Sequence, residues 1–316
     1  MRQYNKGVYP TMITPYTKNG EIDYEGAERI VDWYMEKGCD GIFAVCQSSE
    51  MAFMTLDERI KLAEAVVRRV DGRINVVVSG HCADSIDEQI KEVNAMAQTG
   101  ADAVILVSNR LDLHNEGDKV WINNAKRLLK GIDKNIDLGI YECPMPYKRL
   151  LTPEIIEWCL DTGRFRFIKD TCCDPIKLTE RAKQLAGSDL LLFNANAQTL
   201  LHSLGAGAAG YSGIMANFHP EIYIWLCRHF KDEPEKAKIL QEFLSMYDFT
   251  ECMHYPITAK YHMNLEGVPM ELDSRWKDKR ECTEYEKLVV RQGYDFEKKI
   301  MELIDNIRKG KKHERI

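Results

Sequence analysis

The feature that most restricts this chain is an alternation running through its first two thirds. Short β-rich runs ("VYPTMIT", "GIFAV", "INVVVSG", "AVILVS", "DLGIYE", "FRFIKDT", "LLLFNAN" and "AGYSGIM") are separated by amphipathic segments. The latter include "DYEGAERIVDWYMEKG", "TLDERIKLAEAVVRRV", "DSIDEQIKEVNAMAQTG" and "TPEIIEWCLDTG". Several open on an Asp, Ser or Thr cap and several close at Gly. Strands that alternate with helices pair in parallel through right-handed crossovers. Eight of them in 316 residues predict an α/β fold closed as a (β/α)8 TIM barrel, which typically takes ~250 residues. A doubly wound open sheet is the alternative. After about Phe218 the strand pattern ends and the remainder reads as helices. The expected organisation is a barrel catalytic domain over residues 1–225 and a C-terminal helical extension over 226–316, packed on the barrel.

Charge and composition exclude several classes. A net charge of −6 argues against a nucleic-acid or anionic-membrane surface. The basic end "RKGKKHERI" reads as a solvated helix terminus. No run approaches the ~18 apolar residues of a membrane span, and "MRQYNKGVYP" does not read as a secretion signal. A cytoplasmic protein is expected. The ten cysteines contain no Cys-x-x-Cys and no Cys/His pair at zinc-ligand spacing, so reduced and mostly buried thiols are expected and no metal. "GAGAAG" matches the letters of a dinucleotide-binding loop, but a helical run precedes it and a strand follows. A nucleotide site needs the opposite order, so these glycines read as a helix-to-strand turn.

An α/β barrel places its active site where the strands end. The polar residues closing the predicted strands are Gln47, Ser48, Ser49 and Glu50 after strand two, Tyr141 and Glu142 after strand five, Lys169 and Thr171 after strand six, and Asn194 and Asn196 after strand seven. Lys169 shares strand parity with Phe165 and Phe167, so it is expected on an inward face. Two readings stand for it. One is a structural ion pair with an acidic neighbour. The other is a Schiff-base nucleophile, which needs a neutral amine although free lysine titrates near ~10.4. Desolvation by an apolar wall shifts the equilibrium in the required direction. Tyr141, at the neighbouring strand end, is placed to move protons or to be a buried wall aromatic.

At these residues the sequence resembles the pyruvate-dependent class I aldolases, the family of dihydrodipicolinate synthase and N-acetylneuraminate lyase. The likeness rests on "TMITPYT" with Thr14-Pro15-Tyr16, on "CQSSEMAFMTLDER", on "YECP", on "FIKDT", and further on "AGAAGYSGIMANFHPE" and "YPITAKYHMNLEGVP". It implies a lyase that forms an imine between Lys169 and a 2-oxo acid, pyruvate or a sugar-derived 2-keto acid, with Tyr141 as the proton-transfer residue. It further implies that Ser48 and Ser49 hold the substrate carboxylate and that Thr171 lines the pocket. Gln47, Glu142 and Asn196 are further expected substrate contacts, and Glu50 is expected to order its loop. The covalent imine calls for no cofactor. The resemblance also implies a homo-oligomer, a tetramer or dimer, whose partner is a small-molecule substrate.

The departures from the family pattern leave the substrate open. Gln47 stands where the loop has a hydroxyl or small residue, and Ser49 where it has glycine. Arg110 and Leu111 replace an aromatic pair that lends a tyrosine between subunits. The synthase's arginine five residues past the strand-five tyrosine is Pro146, with Lys148 and Arg149 nearby. The acidic residues expected of the neuraminate lyase are Ala197 and Gln198. Dehydration or decarboxylation of a 2-keto sugar acid, or a barrel that binds an oxo acid without turnover, are the alternatives.

Overall fold

The computed structural model describes residues 3–313. Met1, Arg2 and residues 314–316, the extremes of the opening segment and of the basic end, lie outside the described residues. Eight parallel strands form the barrel: Gly7–Val8 (β1), Gly41–Ala44 (β2), Asn75–Val78 (β3), Ala103–Val107 (β4), Leu138–Tyr141 (β5), Phe165–Asp170 (β6), Leu191–Asn194 (β7) and Gly210–Tyr211 (β8). They neighbour one another in the order β1-β8-β7-β6-β5-β4-β3-β2. The remaining seam is bridged where Thr11 pairs with Phe43. An open doubly wound sheet is thereby excluded.

Between the strands lie helices Tyr24–Glu36 (α1), Leu56–Val70 (α2), Ile86–Ala97 (α3), Asp118–Gly131 (α4), Pro153–Thr162 (α5), Pro175–Gln184 (α6) and Leu200–Ala206 (α7), with Pro220–His229 (α8) after the last strand. Their boundaries follow local chemistry. Thr55 and Glu58 make a reciprocal capping box at the start of α2. Thr152 caps α5, with Pro153 in its first turn, and Gly163 ends it in the left-handed conformation.

The "GAGAAG" segment is the expected turn. Gly207 ends α7 at φ 111. A Cβ on Gly210 would lie 1.8 Å from the Gly7 carbonyl oxygen, so only glycine lets β8 pair with β1 there.

The extension comprises Pro234–Glu251 (α9), Ile257–Leu265 (α10) and Glu284–His313 (α11). The expected boundary at 225/226 cuts through α8, whose helix runs unbroken to His229. The last barrel helix therefore ends four residues further on.

The sequence reading of strand six needs one correction. The β5–β6 register slips between Leu138 and Gly139, which pair with Phe165 and Phe167. That irregularity breaks the alternation, and Phe165 packs on Trp158 of α5, ring centres 5.9 Å apart, in the helical layer. Phe167 stays inside, stacked on Phe193 at 4.3 Å and met edge-on by Tyr9. The aromatic floor beneath Lys169 is therefore Phe167, Phe193, Tyr9 and Phe43.

Candidate active site

Lys169 lies next to the end of β6, directly paired with Tyr141 of β5 and Phe193 of β7. It is 3% exposed, and its Nζ lies 4.2 Å from the Tyr141 ring centre and 5.5 Å from that of Phe43. Among the described residues no carboxylate lies within ion-pairing distance of it. Burial pushes its ammonium down to about 8, more than the neighbouring Cys46 and Cys143 raise it. An amine in this setting is neutral in a useful fraction near neutral pH.

The Tyr141 hydroxyl donates to Gln47 Oε1 at 3.0 Å, and the Cys143 thiol donates to the same oxygen at 3.0 Å. Burial holds the phenol well above its ordinary value, so it stays protonated until a base is presented. Gln47 thus ends the chain from Tyr141. A carbonyl oxygen accepts but does not pass a proton on.

The loop after β2 divides its two serines. Ser49 Oγ donates to the Met12 carbonyl at 2.6 Å and accepts from Cys46 N at 3.1 Å, while its carbonyl accepts from Thr14. Its hydroxyl is spent within the loop. Ser48 Oγ donates to Thr11 Oγ1 at 3.1 Å. Glu50, at φ 64, binds outward to the extension. It accepts from Ser274 Oγ, Arg275 N and Trp276 N at 2.9, 2.6 and 3.0 Å, and its Oε1 is 3.3 Å from Lys260 Nζ.

Three expected contacts have their side chains engaged by neighbouring groups. Glu142 follows the inward-facing Tyr141, so strand alternation turns it to the helical side. There it is fully buried against Arg181 and also accepts from Leu151 N and Thr171 N at 2.7 and 2.8 Å. Arg181 ion-pairs with Asp170 as well, so Glu142 belongs to a charge cluster behind β5 and β6, facing away from Lys169. Thr171 lies just past the strand end and donates its hydroxyl to the Glu142 carbonyl at 2.7 Å. Asn196 accepts from Thr199 N and Oγ1 at the start of α7 and donates to Gln198. That side chain closes a turn.

Two cations near strand five are resolved in the same way. Arg149 is held by Asp112 and Asp118 at 2.8 and 2.7 Å, and Lys148 donates to the Thr171 carbonyl at 2.8 Å. A cavity of about 180 Å³ adjoins the mouth, lined by Gln47 and Cys143 together with Phe53, Val107, Arg110 and Trp276. A larger hollow, about 540 Å³, opens at the opposite end of the barrel between Asp102, Arg164 and Arg166, away from Lys169.

Sequence reasoning missed three side chains that border the site. Thr11 and Asn217 are fully buried, and Tyr255 comes from the extension, between α9 and α10. The segment holding Tyr255 is part of the resemblance, but no local pattern in it points at the barrel.

Comparison with known proteins agrees with this architecture. The profile of the dihydrodipicolinate synthetase family matches residues 4–276. A 4-hydroxy-tetrahydrodipicolinate synthase of Coxiella burnetii is 27% identical over 266 residues, 83% of this chain and 88% of that protein. One from Methanococcus aeolicus is 26% identical over 272 residues, 84% of this chain and 90% of that protein. Among solved structures, a Ruminococcus gnavus sialic acid aldolase mutated at its catalytic lysine superposes with TM-score 0.84 at 17% identity, covering 96% of this chain and 99% of that one. A monomeric dihydrodipicolinate synthase variant superposes with TM-score 0.83 at 24% identity, covering 93% of this chain and 97% of that one.

Proposed function

This chain belongs to the dihydrodipicolinate synthetase family, and from that premise we propose that it is a lysine-imine lyase or aldolase that makes or breaks a carbon–carbon bond of a 2-oxo acid. The observation that carries the reading is Lys169 itself: a buried amine over aromatic rings, with its ammonium pushed down to about 8. In the proposed step the neutral Nζ attacks C2 of the oxo acid. The carbinolamine then loses the former ketone oxygen as water, leaving a protonated C=N bond. Tyr141 donates the proton that lets the water leave and takes one back at the next stage. The protonated imine is itself the electron sink, so this chemistry calls for no metal or organic cofactor.

Gln47 supports a second reading. Because the amide ends the Tyr141 chain, a reaction that needs the imine but no extended proton relay, dehydration or decarboxylation of a 2-keto sugar acid, fits the same residues.

The acceptor is proposed to differ from that of the curated relatives. Condensing pyruvate with aspartate semialdehyde places a second carboxylate in the site, for which a planar guanidinium is suited. Pro146 donates nothing, Arg149 is consumed by two aspartates, and Arg110 is paired with Asp84 at 2.6 Å. Turnover of that pair at a kcat/KM of ~10⁴ M⁻¹s⁻¹ or more would contradict this. A cytoplasmic homo-oligomer is proposed for the assembly, to be checked by light scattering.

Borohydride reduction with a panel of 2-oxo acids, read by intact mass and peptide mapping, tests the imine and the acid preference together. A mass gain on the peptide holding Lys169 is expected. No adduct with any 2-oxo acid, or a label on another lysine, overturns the reading.

A further inference from the structure

The extension does more than cover the barrel. The Tyr255 hydroxyl lies beside Ser48 and Thr11, whose own hydroxyls are bonded to each other at 3.1 Å. Asn217 Nδ2 donates to the same phenol oxygen at 3.2 Å while also bonding the Thr11 and Ile214 carbonyls. Asn217 therefore fills one acceptor site on Tyr255 and ties the phenol to the backbone of Thr11.

Thr11, Ser48 and Tyr255 thus bring three O–H groups together, and all three residues are buried. Among the described residues none of the three hydroxyls donates to a carboxylate. Ser48 gives its hydrogen to another hydroxyl, that of Thr11, and a cluster of O–H groups of this kind gains most when an anion enters and accepts from several at once. Burial keeps the phenol un-ionised, hence a donor, across the working pH range.

Position supports the same assignment. Gln47, which holds the Tyr141 hydroxyl, immediately precedes Ser48. In a 2-oxo acid the carboxylate is bonded directly to the carbon that forms the imine, so its site must border the lysine and its proton donor. Glu50, two residues past Ser48, is locked to Lys260, five residues past Tyr255. Loop and extension are therefore joined beside this pocket.

We infer that Tyr255 is a substrate-binding residue of this site, completing with Ser48 and Thr11 a hydroxyl pocket for the carboxylate of the 2-oxo acid. The assignment rests on the imine reading above. It gives the extension a direct share in recognition, supplied by the chain itself.

The test is trapping by borohydride at graded concentrations of pyruvate and of methyl pyruvate, which keeps the ketone but lacks the anion. In Tyr255→Phe the half-saturating pyruvate concentration should rise roughly 10–100-fold, as for loss of a hydrogen bond to a charged group. That for methyl pyruvate should change less than about twofold, since the uncharged ester forfeits only a weak neutral hydrogen bond. Tyr255→His, which retains a neutral donor, should restore part of the preference and serves equally if the phenylalanine variant does not fold. Equal shifts for both ketones would reduce Tyr255 to a structural role, and no shift for either would remove it from the site. Both outcomes overturn the inference while the wild-type label on Lys169 stands. Absence of that label would instead overturn the imine reading, and this inference with it.

Discussion

Lys169 and Lys260 are both buried, and burial pushes both ammonium groups down to about 8, yet the two sites are built for different ends. Lys260 Nζ faces Glu50 at 3.3 Å and also donates to the Asp273 carbonyl. Its charge is matched, and it joins the extension to the loop after β2. Lys169 has aromatic faces around it and no carboxylate in reach among the described residues. One lysine is buried with its counter-charge; the other is buried without one. The lesson is that desolvation alone does not mark a nucleophile. With no partner holding its ammonium, Lys169 keeps a fraction of neutral amine available near neutral pH, whereas Lys260 is tied to Glu50.

The largest effect expected from this contrast is all-or-none. Lys169→Met should abolish borohydride trapping with 2-oxo acids, while Lys260→Met should still label Lys169. Trapping that survives in the first variant, or vanishes from a folded second variant, would collapse the distinction. Next comes Tyr141, paired directly across from Lys169. Tyr141→Phe should lower kcat by ~10²–10⁴-fold, the range for a positioned acid/base group, with the half-saturating oxo acid little changed. A loss of only a few-fold would make it a wall residue.

Stability should move in opposite directions at the two lysines. Lys260→Met leaves Glu50 buried without its cation and should cost about 3 kcal/mol, as for breaking a buried pair. Lys169→Met removes an uncompensated charge. A shift from 10.5 to about 8 corresponds to about 3 kcal/mol at ~1.4 kcal/mol per unit, so this variant should be stabilised by up to that amount at pH 7. The sign follows from proton binding. Between pH 8 and 10.5 the unfolded lysine holds a proton that the folded one has released, so wild-type stability rises with pH there. The advantage of Lys169→Met should therefore be full below pH 8 and fade towards pH 10.5 in denaturant titrations. A pH-independent difference would show that the amine is not strained. The smallest effect expected is kinetic: imine formation should rise with pH through a midpoint near pH 8, where half of Lys169 has lost its proton, and level off above it. A midpoint near the ordinary lysine value would contradict its desolvation.

Much of this was legible beforehand, and the residues that were not share a cause. The strand–helix alternation, the inward Lys169 and the neighbouring Tyr141 follow from period and order, which are local properties of a chain. Glu142 was misplaced although the same alternation that turns Tyr141 inward turns Glu142 out to Arg181. The outward face of Phe165 was not legible, because a register slip between two strands has no signature within either one. Ser49 and Ser48 are adjacent and chemically identical, yet one is spent on the Met12 carbonyl and the other joins Thr11. Only the path of the segment after β1 separates them.

By itself the sequence determined a closed barrel, the strand ends that form its mouth, and the lysine most able to act there. Periodicity and strand order act over a few residues and leave their trace in the chain. Which lysine carries a counter-charge, which serine joins Thr11, and that Tyr255 returns from the extension to lie beside Ser48 were decided by tertiary structure. Those facts depend on distances between segments far apart in the chain, from the 37 residues that separate Ser48 from Thr11 to the 210 that separate Glu50 from Lys260. No local pattern encodes a distance of that kind, because it is set only when the whole chain has packed.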